Sequence, residues 1–139
     1  MGKLTVEAVR EKHGVVMEFA ERYLEEQKIP KREQMKMLVA VDEVTSNIFS
    51  YSGAKKLTLE CVREEEEIVF RFADDGIPFN PLEKEEPDIS ADIEHRPIGG
   101  LGIYLVRKNM KDVSYEYRDN FNILTLRKEV ERSNDGKKN

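Results

Sequence analysis

The stretch Ile68-Val69-Phe70-Arg71-Phe72-Ala73-Asp74-Asp75-Gly76-Ile77-Pro78-Phe79-Asn80-Pro81 changes character halfway, and its reading decides the fold. Ile68, Phe70 and Phe72 recur with a period of two, the mark of a half-buried strand. Asp74 ends that strand, Gly76 follows two residues on, and Pro78 and Pro81 forbid its continuation. A strand closing on a carboxylate, then a glycine, sets a fixed acceptor beside bare backbone. Such a pair can accept from an exocyclic amine while a flat ring lies close. Asp-Gly is also a common turn dipeptide, so taken alone the segment reads first as a plain turn.

Working towards the N-terminus, Leu57, Leu59 and Cys61 repeat the same alternation, and the charged run Arg63 to Glu67 joins the two strands as a hairpin. The acidic residues Glu64 to Glu67 read as its solvated tip. Before the hairpin the period lengthens. Residues 7–27 place Val9, Val16, Phe19, Ala20, Tyr23 and Leu24 at helical spacing, and Pro30 ends that helix. A second helix from about Lys31 to Ser50 carries Met35, Leu38, Val41, Val44, Ile48 and Phe49, with Gly53 closing it. Leu4 to Val6 leave room for a short first strand.

Towards the C-terminus, residues 74–98 hold four of the five prolines, and a loop that long within a compact domain is usually functional. We expect a lid over about 78–98. Leu101 to Met110 return to helical spacing, and Val113, Tyr115, Tyr117, Leu124 and Leu126 form a second hairpin across Asp119-Asn120. Residues 131–139 are polar and expected to be disordered. The sum is an α+β chain: a two-layer α/β sandwich with helices on one face of a mixed, mostly antiparallel sheet, as one domain over 1–130.

Composition narrows the function. With 139 residues, 39% of them apolar and 37% charged, the chain supports one well-solvated core. A net charge of −5 speaks against nucleic acid as the direct ligand. No apolar run approaches a membrane span of about 18 residues, and no apolar leader follows Met1, so no membrane association and a cytoplasmic location are expected. Cys61 is the single cysteine and lies in a strand pattern as a small buried residue. With only His13 and His95 beside it there is no zinc set, and any metal should be a hard cation on oxygen.

Two further constellations carry chemistry. In Asp42-Glu43-Val44-Thr45-Ser46-Asn47 the carboxylate of Glu43 and the amide of Asn47 stand four residues apart, on one helix face. That suits a Mg²⁺ that keeps several waters, or a general base toward a hydroxyl; it equally describes an exposed polar stripe. In Pro97-Ile98-Gly99-Gly100-Leu101-Gly102-Ile103 glycines open a helix, where bare N–H groups and the helix dipole favour a phosphate. No Lys-Ser or Lys-Thr follows, which excludes a P-loop, and no βαβ unit surrounds the glycines as a dinucleotide fingerprint requires.

In this order, E-x-x-x-N on a helix, D-x-G after a strand and G-x-G at a later helix resemble the Bergerat-type ATPases shared by gyrase, heat-shock chaperones, mismatch-repair proteins and sensor histidine kinases. The likeness runs from about Leu4 to Lys128. Asp74 to Pro81 (D-x-G-x-P-F-x-P) and Gly99 to Ile103 (G-G-L-G-I) resemble most the bacterial anti-sigma factor serine/threonine kinases. The resemblance implies an ATP site with Mg²⁺. Within it Asn47 would hold the metal, Glu43 would be the catalytic base, and Asp74 would read the adenine amine. Gly76 would allow close approach to the base, while Gly99, Gly100, Leu101 and Gly102 would line the phosphates and Arg96 would reach the terminal one. It implies a homodimer that holds a sigma factor and phosphorylates a serine on an anti-anti-sigma protein. A non-catalytic, ATP-gated binding module of the same fold is the alternative. The family's last-strand threonine falls at Asn122, with Thr125 three residues on, and either could support the adenine. The stretch Ile48-Phe49-Ser50-Tyr51 lacks the histidine the family often has there.

Overall fold

A computed structural model describes residues 1–83 and 100–130. Five strands form one sheet: β1 (Gly2–Glu7), β2 (Lys56–Glu64), β3 (Glu67–Asp74), β4 (Asp112–Arg118) and β5 (Phe121–Glu129), in the order β1-β2-β3-β5-β4. Every pairing among the described residues is antiparallel, so the parallel part of a mixed sheet is not found there. The helices are α1 (His13–Glu26), α2 (Lys31–Tyr51) and α3 (Gly100–Asn109). The expected tail, 131–139, and the expected lid from residue 84 to 98 lie outside the described residues.

The core is the seam between layers. Val16, Ala20 and Leu24 of α1, Met37, Val41 and Val44 of α2, and Val106 of α3 meet Leu57, Leu59, Ile68, Phe70, Phe72, Leu124 and Leu126 of the sheet. The strand residues among these all sit on one side of the pleat, so the helices cover one face only. On the other face Thr5 and Thr58 hydrogen-bond through their hydroxyls at 2.9 Å, and Arg71 reaches Glu60 at 3.4 Å. Cys61 is fully buried on the core face, and burial pushes its thiol up to about 12.

The first helix begins later than its apolar spacing predicts. Residues through Glu7 are taken by β1, which runs antiparallel beside β2, and Ala8 donates its N–H to Lys55. Val9 is thus extended and exposed, and α1 starts only at His13. In α2 the buried stripe passes through Met37 and Ala40, while Met35 is 67% exposed. Pro30 serves as the N-cap of α2 rather than the stop of α1. Both hairpins form as expected, tightened to two-residue turns: Glu65 has φ +48°, and Asp119 and Asn120 have φ +55° and +69°. Two consecutive left-handed residues match the twist of the flanking strands.

Candidate functional site

The site is assembled where α2 ends against the ends of β3 and β5. Gly53 turns left-handed (φ +67°) and closes α2 behind Ser52, whose hydroxyl donates back to the Ile48 carbonyl at 2.8 Å. The Ser52 carbonyl in turn accepts the N–H of Ile77 at 2.9 Å. This bond ties the loop after β3 to α2, and so fixes Asp74 relative to Glu43 and Asn47. Asp75 anchors the other side, accepting from the backbone N–H groups of Lys55 and Lys56 at 2.7 and 3.1 Å.

Between these elements lies a small pocket that opens to solvent. Its walls are Val44, Asn47 and Ile48 from α2, Asp74 from β3, Phe79 and Pro81 from the loop, Tyr115 from β4, and Asn122 and Leu124 from β5. The lining is apolar and aromatic with a few convergent polar groups, the usual make-up of a small-molecule site. Asp74 is 3% exposed. Burial pushes its carboxyl above the ordinary value, and donation from Asn122, Gly76 and Ser52 opposes that shift. Asp74 Oδ1 accepts from Gly76 N at 2.9 Å and from Asn122 Nδ2 at 3.0 Å.

Asn47 is 8% exposed and faces the cavity, yet its amide forms no hydrogen bond among the described residues. The amide opens on this pocket, where a ligand can meet it. Glu43, one turn earlier at about 6 Å along the helix axis, is half-buried and also makes no hydrogen bond there. Burial, and then the charge of Asp42, raise its carboxyl above the usual range. Asp42 itself faces a separate groove, where His13 Nε2 lies 2.6 Å from its Oδ1.

No group of three or more His, Cys, Asp and Glu side chains is placed to hold a metal among the described residues. A Mg²⁺ that takes one or two protein oxygens and completes its octahedron with water and phosphate fits Asn47 and Glu43. Gly100, Leu101 and Gly102 form the first turn of α3; Arg96 and Gly99 lie outside the described residues. Gly76 has a reason to be glycine within the protein itself, beside the expected approach to a base. A Cβ there would meet the Ser52 carbonyl oxygen at 2.2 Å.

The structure separates Asn122 from Thr125. Asn122 is 4% exposed on the core face beside Asp74, whereas Thr125 lies on the opposite face in register with the exposed Arg71. Tyr115, Phe79 and Ser52 were not legible as site residues: each owes its place to the pairing of β4 with β5 and to the loop's return onto α2.

With this arrangement stands a family match. Residues 6–128 match the model of the histidine kinase-like ATPase domain. The chain belongs to that family. Within the histidine kinase-like ATPases it is similar to the serine/threonine-protein kinase BtrW of Bordetella bronchiseptica, 31% identical over 96 residues, 65% of this chain and 66% of that protein. It is also similar to the serine-protein kinase RsbW of Bacillus mycoides and of Bacillus cereus, 30% identical over 111 residues in each case, 72% of this chain and 68% of theirs. The chain thus spans about two thirds of the length of these curated relatives. No helix among the described residues is long and apolar enough to cross a membrane.

Proposed function

We propose that this histidine kinase-like ATPase domain is an ATP-dependent serine/threonine protein kinase of the anti-sigma factor type. The observation that carries the reading is Asn47: a side chain 8% exposed that lines the same pocket as Asp74 and stands one turn from Glu43. The names of the similar proteins, serine and serine/threonine kinases, support the same reading.

In this account Asp74 accepts from the adenine amine and Asn47 offers its amide oxygen to Mg²⁺. The first turn of α3 (Gly100, Leu101 and Gly102) presents backbone N–H groups to the phosphates; Gly99 is proposed to join them, and Arg96 to meet the terminal phosphate. When bound, Mg²⁺ neutralises phosphate charge. Glu43 takes the proton of the attacking serine hydroxyl as the new O–P bond forms and the bond to the β,γ-bridging oxygen breaks. Its raised carboxyl suits that role, since a base works best near the operating pH. Positioning and charge stabilisation then supply most of the rate. The acceptor is a serine on an anti-anti-sigma protein, the same surface system holds a sigma factor, and the kinase acts as a homodimer in the cytoplasm.

The test is transfer of γ-labelled phosphate to an anti-anti-sigma protein of the same genome. Wild type should label it on serine, and Glu43→Ala should lose labelling by at least about a hundredfold while still binding nucleotide. Undiminished transfer by Glu43→Ala would remove Glu43 as the base. Tight ATP binding with no transfer to any such protein would favour an ATP-gated binding module instead.

A further inference from the structure

Arg107 stands on α3 about two turns after Gly100, on the same face of that helix and about 10 Å further along its axis. Its Nη2 donates to the Leu82 carbonyl at 3.1 Å. That carbonyl belongs to the single 3-10 turn Pro81–Glu83, which follows the loop after β3. So short a turn leaves its carbonyls without helical partners, and a guanidinium is a strong donor for one of them. Arg107 itself is exposed, while its neighbour Val106 is fully buried in the core and fixes the helix beneath it.

The same turn is held in other ways. Asn80 Oδ1 accepts from the Leu82 N–H at 2.9 Å, the Leu82 side chain packs against the core, and Pro81 is buried as a wall of the pocket. Phe79, another wall, donates its N–H to Asn122 Oδ1 at 2.9 Å. Phe79 to Leu82 thus form a short strap along the pocket, tied to β5 at one end and to α3 at the other. Pro78 and Pro81 limit its backbone freedom further.

Resting on the nucleotide reading above, we infer that Arg107 is a positioning residue that couples the two halves of the site: it ties the pocket wall to the helix whose first turn faces the phosphates, so that each half of the ligand binds better when the other is in place. A short helix packed on α2 moves as one rigid piece. Phosphates drawn to Gly100–Gly102 therefore settle the place of Arg107 and, through it, of Leu82 and Pro81. The coupling is reciprocal, since a strap set by the base also sets the helix.

The test compares ATP with adenosine, which keeps the base and lacks the phosphates, in wild type, Arg107→Met and Arg107→Lys. Affinity is read by calorimetry, and the strap by amide exchange at Leu82 under saturating ligand. Because Arg107 is exposed, both variants should melt with wild type. Arg107→Met should bind ATP about fivefold more weakly and adenosine within about twofold of wild type. In wild type ATP should slow exchange at Leu82 more than adenosine does, and in Arg107→Met the two should slow it alike. Arg107→Lys, which can still donate to the carbonyl, should fall between. Equal weakening of both ligands makes Arg107 a plain support of the pocket wall, and no weakening of either makes the bond idle; each overturns the inference. ATP weakened alone, with its extra protection of Leu82 intact, means that Arg107 acts by charge only, and overturns it as well. Failure of wild type to bind ATP is a different result: it removes the nucleotide reading itself, and this inference with it.

Discussion

Gly76 and Ser52 touch so closely that no side chain fits between them: a Cβ on Gly76 would stand 2.2 Å from the Ser52 carbonyl oxygen and 2.9 Å from Asp74 Oδ1. Both neighbours are fixed, the first by the Ile77 N–H at 2.9 Å and the second by the bonds from Gly76 and Asn122. The contact is what brings the end of β3 against the end of α2. Gly76→Ala must therefore push the two apart, and we expect a loss of about 2–4 kcal/mol, read as a melting temperature lower by roughly 7–14 °C. An unchanged melting temperature would show that the loop can move away at little cost.

Glu43 gives a pH dependence whose sign follows from its environment. Burial first, then the charge of Asp42, raise its carboxyl in the folded state. A raised acid binds its proton more tightly when folded, so stability is greatest below the ordinary carboxylate value and falls as pH rises through the folded one. Glu43→Gln should therefore be more stable than wild type at pH 7, with the difference vanishing near pH 4 in denaturant titrations. In the kinase assay, Asp42→Asn should move the acid limb of the rate profile to lower pH, because one of the two raising causes is gone. A limb that stays in place would remove Asp42 from the tuning of the base.

A third expectation concerns the end of α1. Lys28 sits left-handed at φ +58°, with its N–H bonded to Glu25 O at 2.9 Å and that of Ile29 to Leu24 O at 3.1 Å. This is the Schellman arrangement, in which glycine is the favoured residue at the left-handed position. Lys28→Gly should raise stability by about 1 kcal/mol without touching activity, seen as a melting temperature higher by roughly 2–4 °C.

The same helix end shows why part of the fold was not legible in the sequence. Pro30 is a visible breaker, and it suggested the stop of α1; the real stop is a lysine in a conformation that no sequence pattern announces. Val9 continued the apolar spacing of α1, but its backbone belongs to the exit from β1, whose pairing with β2 is a contact between distant residues. The strands, both hairpins and α2 were legible because their periods are strong and local. In the site, Glu43, Asn47 and Asp74 could be singled out as candidates from spacing, since one helix or one strand end carries each, while the roles expected of them come from the resemblance. Asn122 and Tyr115 could not be assigned that way. They reach Asp74 only through the register of β3 with β5 and of β5 with β4, which sequence spacing does not contain.

The central claim is that this chain binds Mg-ATP through Asn47, and calorimetric titration of ATP into wild type and Asn47→Ala, with and without Mg²⁺, tests it most directly. The account predicts binding by wild type that strengthens with Mg²⁺, and loss of that Mg²⁺ dependence in Asn47→Ala with at least a tenfold weaker affinity. Binding that is equally strong in the mutant, or no binding by wild type with or without Mg²⁺, would contradict it.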